Sequence, residues 1–158
     1  MKPPRPRLIP CSALGAYVDD DRWAWEPKLD GHRCILTVSL TGLTSAMTRH
    51  GQPCRVPDIS ALTIPPSTTL DGELMPDGQY IVFDFLELAG ELGCCAPLSA
   101  RRARLEDLFP ALGRTRIIQR VDPRWALTHR LHEGVVLKLD APYPYGETTK
   151  WLRARWAR

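Results

Sequence analysis

The chain has 158 residues, 44% apolar and 25% charged, a length and balance that suit one globular domain with a real core. Lysine stands only at 2, 28, 138 and 150, so arginine supplies 17 of the 21 basic residues, yet a net charge of +3 does not by itself mark a nucleic-acid binder. No apolar signal core follows the amino terminus and nowhere do 18 apolar residues run together, which argues against export and against a membrane-spanning helix.

In chain order, Pro3, Pro4, Pro6 and Pro10 predict an extended arm over residues 1–20, leaving 21–158 as the folded domain. Residues 23–33 read WAWEPKLDGHR. Trp23 and Trp25 alternate with smaller or polar residues as in a half-buried strand, Asp30-Gly31 predicts a turn, and Cys34 to Val38 opens a second strand. Strands are expected around 33–40 and 43–49, joined at Thr41-Gly42 and ending in Thr48-Arg49-His50-Gly51. A short helix is expected over 56–62, stopped by Pro65-Pro66. Two apolar strands follow, at 70–74 and 80–86, on either side of a tight turn at Asp77-Gly78. Helical spacing of Leu105, Leu108, Phe109 and Leu112 predicts a helix over 98–112, with Ser99 as its cap. Arg101, Arg102 and Arg104 crowd its first turns, where the dipole disfavours cations; a solvated basic face is the favoured reading, a partner's phosphates the other. A strand at 116–121, a short helix at 125–132 and strands at 134–139 and 148–156 complete the chain. Strands outnumber helices without regular βαβ alternation, which points to an α+β fold with antiparallel sheets.

Five cysteines at 11, 34, 54, 94 and 95 form no C-x-x-C pair and are read as reduced thiols. His129 and His132 beside Glu133 are read as surface residues rather than a metal site. The chemistry gathers elsewhere. Lys28 should end a strand and face a pocket, with Arg33 returning beside it; a lysine near other cations loses its proton more easily, and the neutral amine is a nucleophile. Neither G-x-x-x-x-G-K-[ST] nor G-x-G-x-x-G is present, so no Gly-rich cradle holds phosphates. Instead, separate strand ends offer Lys28 and Arg33, Arg49, Glu73, Glu133, and Arg153 with Arg155. That set fits a nucleoside triphosphate with Mg²⁺: cations on phosphates, one carboxylate on the metal, a second on a ribose hydroxyl, and Phe83 stacked on the base. Taken alone, the hexapeptide Lys-x-Asp-Gly-x-Arg fits an ordinary turn with solvated charges equally well.

Six blocks in order shift that balance. Residues 23–33 resemble motif I of the covalent nucleotidyltransferases, specifically of bacterial ATP-dependent DNA ligases of the end-joining type. Thr48-Arg49-His50-Gly51 resembles motif Ia, LDGEL at 70–74 and YIVFDFL at 80–86 resemble motifs III and IIIa, EGVVLK at 133–138 motif IV, and KWLRAR at 150–155 motif V. The resemblance implies an α+β ligase adenylation domain, ATP-grasp-like, built on antiparallel sheets. It implies that Lys28 attacks the α-phosphate of ATP to give a lysyl-N–AMP, in surroundings shaped by Asp30 and Arg33. Glu26, Arg49, Glu73, Phe83, Lys138, Arg153 and Arg155 are implied at the nucleotide, with Glu73 on the ribose, Phe83 on adenine and Arg49 at AMP or the 5′-phosphate of a nick. Glu133 is implied at a divalent metal, Mg²⁺ or Mn²⁺. Two departures stand out: Arg153 and Arg155 occupy the usual motif V lysine positions, and the sequence ends at Arg158, where the family continues into an OB-fold carrying motif VI. The resemblance thus implies an adenylation core without an OB-fold, acting on nicked or broken DNA in repair or recombination, with a separate OB-fold or DNA-binding protein as partner. It implies no membrane, and a cytoplasmic, nucleoid-associated location. The alternatives are a non-catalytic paralogue that binds nucleotide or DNA ends, and then an RNA ligase or capping guanylyltransferase.

Overall fold

Apolar alternation divides the strands between two sheets that meet where residues 29–31 cross from one to the other. The computed structural model describes residues 3–59, 63–108, 115–130 and 132–156. In chain order the elements are β1 (Arg5–Leu8), β2 (Trp23–Lys28), β3 (His32–Val38), β4 (Thr44–Thr48), β5 (Thr68–Leu74), β6 (Tyr80–Leu88) and β7 (Glu91–Leu92). There follow α1 (Leu98–Leu108), β8 (Thr115–Ile117), α2 (Pro123–His129), β9 (Gly134–Leu139) and β10 (Glu147–Arg155). One sheet runs β1-β10-β9-β2; the other runs β4-β3-β5-β6-β7, with β8 beside β6.

Pairing is antiparallel except at β1–β10 and β6–β8. Those two strands are each reached by a connection far too long for a hairpin, so the sheets are mixed rather than purely antiparallel. The expected arm is also partly folded. Besides β1, Cys11–Tyr17 forms a 3₁₀ helix that buries Leu14 completely. Leu14 joins Trp25, Val135, Leu137 and Leu152 in the core under the first sheet.

Period-two patterning gives the second sheet one apolar and one polar face. Cys34 and Leu36 of β3 sit opposite Gly72 and Leu70 of β5 and pack with Val82, Phe85 and Leu105. Each of the leucine, valine and phenylalanine side chains contributes about 1.5–3 kcal/mol on burial. The residues between them, Arg33 and Ile35, pair across the same ladder with Glu73 and Asp71 and take the other face. A third cluster of Leu86, Tyr143 and Trp151 fills the junction between the sheets.

Several local expectations change. Residues 56–59 are not helical, and 60–62 lie outside the described residues. In the first long helix, α1 runs to Leu108, with 109–112 likewise outside. Ser99 does not cap α1; its N–H and hydroxyl donate to Asp140 at 2.8 and 3.0 Å. Strand β8 stops at Ile117 rather than running on to 121. Helix α2 starts two residues early, because Pro123 presets the first turn and Asp122 accepts from the Trp125 N–H at 2.8 Å. Arg101 and Arg102 are 1% and 6% exposed, so neither a solvated face nor a phosphate contact describes them. Arg101 is held by both oxygens of Asp84, at 2.7 and 2.9 Å.

Candidate active site

Strands β2 and β3 do not form a hairpin: β2 pairs with β9 and β3 with β4 and β5. Residues 29–31 therefore span the gap, and Lys28 ends its strand at the mouth of a cleft of about 750 Å³ lined from both sheets. Gly31 is required at that crossing. A Cβ there would lie 2.6 Å from the Leu74 carbonyl oxygen and 2.9 Å from Cγ of Glu73.

Strand register assembles the reactive end. Lys28 pairs with Gly134 across β2–β9, and Arg155 pairs with Gly134 across β10–β9. Glu133, one residue earlier, falls between the two cations. Lys28 Nζ donates to Glu133 Oε2, and Arg155 donates to Oε1 at 3.0 Å. The Lys28 and Glu133 side chains are 14% and 16% exposed, enough for a substrate to reach them.

Arg33 is held differently from its expected role toward phosphate. It makes a two-pronged contact with Asp71, its Nε donating at 2.8 Å, and a further bond to the Pro4 carbonyl. Burial disfavours its charge, but the Asp71 carboxylate more than offsets this and holds Arg33 above the usual arginine range. Tyr143 donates its hydroxyl to the same carboxylate at 2.8 Å. Next to Arg33, burial pushes Glu73 up to about 7, only partly countered by the Gly31 N–H and the Arg33 charge. Glu73 thus stands ready to exchange a proton or accept a hydroxyl near neutrality.

Phe83 is placed by a bulge. Asp71 pairs with Asp84 but Gly72 with Val82, so Phe83 is the extra residue in β6. Its ring lies edge-on to Trp151, with centroids 6.2 Å apart. Lys138 and Glu26 form the floor beneath it. Lys138 Nζ lies 2.7 Å from Glu26 Oε2 and 3.0 Å from the Phe83 carbonyl, 4.2 Å from the Trp151 ring centroid and 4.6 Å from that of Phe83. Burial lowers the Lys138 pKa against the pull of Glu26. The other Glu26 oxygen accepts from Arg102 at 2.7 Å, so α1 reaches under the cleft. Lys138 is 1% exposed and makes its polar contacts within this floor.

At the rim, Asp30 and Arg49 are exposed, and Arg49 Nε lies 2.9 Å from Nε2 of His50. Arg153 lines the same cleft, and its Nε is buried without a hydrogen-bond partner among the described residues. The structure therefore brings Glu26, Lys28, Asp30, Arg33, Arg49, Glu73, Phe83, Glu133, Lys138, Arg153 and Arg155 to one cleft. Sequence reasoning missed Asp71, Tyr143, Trp151 and Arg102. An acidic residue inside the apolar run Leu70–Leu74 was the available signal, because a buried carboxylate needs a cationic partner. Among the described residues no cluster of three or more His, Cys, Asp or Glu forms a metal cage. Glu133 nevertheless suits Mg²⁺, which keeps most of its waters and takes one or two carboxylates beside substrate phosphates. His129 is exposed on α2 and stacks on Trp125 at 4.4 Å, as a surface residue would.

No protein-family model matches the chain, and no curated protein matches it. Solved structures do. A mycobacterial DNA ligase D complexed with ATP and MES is similar over all of this chain and 61% of its own length, with TM-score 0.77 and 20% identity. The ATP-dependent DNA ligase of bacteriophage T7 in complex with ATP is similar over 98% of this chain and 68% of its own, with TM-score 0.68 and 14% identity. An archaeal ATP-dependent RNA ligase is similar over 96% of this chain and 47% of its own, with TM-score 0.59 and 20% identity. The chain spans about three-fifths of the length of that mycobacterial ligase structure. Its fold is that of the adenylation domain of ATP-dependent DNA ligases.

Proposed function

We propose that this chain is the catalytic core of an ATP-dependent polynucleotide ligase, and that the strand it seals is DNA. The observation that carries the reading is Lys28, held at a two-sheet junction against Glu133 with Arg155 on the far oxygen. In the first step the neutral Lys28 amine attacks the α-phosphorus of ATP. An N–P bond forms, the α–β P–O bond breaks, and pyrophosphate leaves; Glu133, already in contact, is the base positioned to take the amine's proton. When bound, Mg²⁺ would be held by Glu133 and would supply positive charge against the triphosphate. Phe83 offers the base a ring, and Glu73 offers the ribose an acceptor. The AMP then passes to a DNA 5′-phosphate, and a 3′-hydroxyl displaces it.

A second reading, sealing of RNA, is favoured by the likeness to an archaeal RNA ligase. A non-catalytic binding role is disfavoured by the presence of Lys28, Glu73 and Glu133 in one cleft. The test is incubation with Mg²⁺ and α-labelled ATP. Label should survive denaturation, be released by acid as a phosphoramidate is, and vanish in Lys28→Ala. Label that persists in that variant refutes the assignment.

A further inference from the structure

Helix α1 stands apart from the strands that carry the lysine cleft, yet it reaches the cleft floor through one side chain. Leu98, Arg101, Arg102 and Leu105 are its buried residues and recur at i, i+3, i+4 and i+7, so two arginines share the inward stripe with two leucines. Arg101 is taken up by Asp84. Arg102, 6% exposed, instead spans two segments: one terminal nitrogen donates to the Ile118 carbonyl and the other to Glu26 Oε1 at 2.7 Å. Its Nε makes no hydrogen bond among the described residues, so the outer fork carries the contact. Glu26 and Ile118 both line the cleft. Glu26 belongs to β2 and shares a face of that strand with Lys28, two residues on. Ile118 follows β8, and its N–H donates to the Val82 carbonyl of β6, one residue before Phe83. Arg102 therefore ties the sheet that carries Lys28 to the sheet that carries Phe83. Lys138 makes a second tie at the same point, from Glu26 Oε2 to the Phe83 carbonyl.

We propose that Arg102 is a positioning residue for the nucleotide: by joining Glu26 to Ile118 it fixes the spacing between the two sheets, and with it the width of the slot in which Phe83 receives the base. The inference rests on the ligase reading only for the identity of the ligand. Stability alone does not account for the network. Arg102, Glu26 and Lys138 are three charged groups, none more than 6% exposed, and apolar side chains of similar volume hold a helix in place as well or better. What the guanidinium adds is geometry, because its planar fork meets two acceptors at one fixed separation. The reactive end is held separately, by Glu133 between Lys28 and Arg155, so the effect falls on binding rather than on the chemical step.

The experiment reads ATP affinity and labelling separately in the unaltered chain, Arg102→Met, Arg102→Lys, Glu26→Gln and the double variant Arg102→Met/Glu26→Gln. Dissociation constants come from tryptophan fluorescence, and the rate of Lys28 labelling is measured at saturating ATP. Arg102→Met should raise the dissociation constant roughly tenfold, the equivalent of one charge-assisted hydrogen bond, and leave the saturated rate within about twofold. Arg102→Lys, which keeps the charge but offers no fork, should recover part of that loss. Because Arg102 acts through Glu26, the double variant should bind ATP about as weakly as the weaker single variant. Unchanged affinity in Arg102→Met, whether or not the saturated rate falls, marks a merely structural role and overturns the proposal, as does additivity in the double variant. Should Arg102→Met not fold, Arg102→Gln, which keeps a neutral donor, goes through the same comparison with the same two outcomes. Absence of labelling in the unaltered chain refutes the ligase reading alone, because ATP affinity still reads the Arg102 tie.

Discussion

Asp71 offers the sharpest test of how the cleft is held. It is fully buried, and its two oxygens serve Arg33, 14% exposed, and the Tyr143 hydroxyl. Asp71→Ala strands the arginine charge and leaves the tyrosine hydroxyl without this partner. Breaking a buried pair from one side costs about 3–5 kcal/mol, and an unsatisfied hydroxyl a further ~1–3 kcal/mol, although the two losses overlap. A net loss of about 4 kcal/mol is expected, which for a chain of this size lowers Tm by roughly 8–16 °C. Removing the arginine as well should restore much of that loss, since replacing both partners by apolar groups is often nearly neutral. A urea titration of Asp71→Ala, Arg33→Met and the double variant therefore gives a coupling energy of several kcal/mol. A loss below about 1 kcal/mol in Asp71→Ala, or simple additivity in the double variant, refutes the reasoning.

Glu73 titrates at about 7 in the folded chain against 4.5 for a free side chain, so the folded state binds its proton more tightly. Stability contributed there is present below about pH 4.5 and falls as pH rises towards 7, by about 1–3 kcal/mol after allowing for partial exposure. Urea midpoints at about pH 5 and about pH 8 should differ less in Glu73→Gln than in the unaltered chain; an equal difference removes Glu73 as the cause. Gly31→Ala forces a Cβ to within 2.6 Å of a backbone oxygen and should cost about 1–3 kcal/mol and slow Lys28 labelling by roughly 10²-fold. Gly15→Ala, with nothing within 4 Å of its Cβ, is the control and should leave both within error.

Most strands were legible because each one buries a single face. Val38 pairs with Thr44 across the turn expected at Thr41-Gly42, and β9 falls on 134–139 as expected. What escaped were features that depend on distant partners. The run Arg101, Arg102 and Arg104 reads as a basic surface, yet two of the three point inward because Asp84 and Glu26 wait there from other strands. No local period encodes that. The arm failed for a related reason: Pro3, Pro4 and Pro6 disfavour an α-helix but still allow an edge strand, and β10 supplied an edge for Arg5–Leu8 to join. The motif blocks pointed to residues that line one cleft, whereas Asp71, the buried carboxylate behind Arg33, was hidden inside an apolar strand.

Arg153 and Arg155, which stand where the resembled motif carries lysines, make different contacts. Residues 153 and 155 alternate along β10 with buried Leu152 and Ala154, so both side chains leave the strand on the cleft side. Arg155 lies at the strand end opposite Gly134, and its fork closes on Glu133, sharing that carboxylate with Lys28. Arg153 sits two residues deeper, opposite Val136, and lines both the lysine cleft and a neighbouring concavity bounded by β1. A lysine at 155 would meet Glu133 as a single mobile charge and compete directly with Lys28 for it. The planar arginine fork instead takes one oxygen and leaves the other to the nucleophile. At 153 the guanidinium lines two neighbouring cavities, with its Nε buried and unbonded among the described residues. The pair of arginines is therefore compatible with the chemistry proposed for Lys28, because Arg155 takes one oxygen of Glu133 and leaves the other to Lys28.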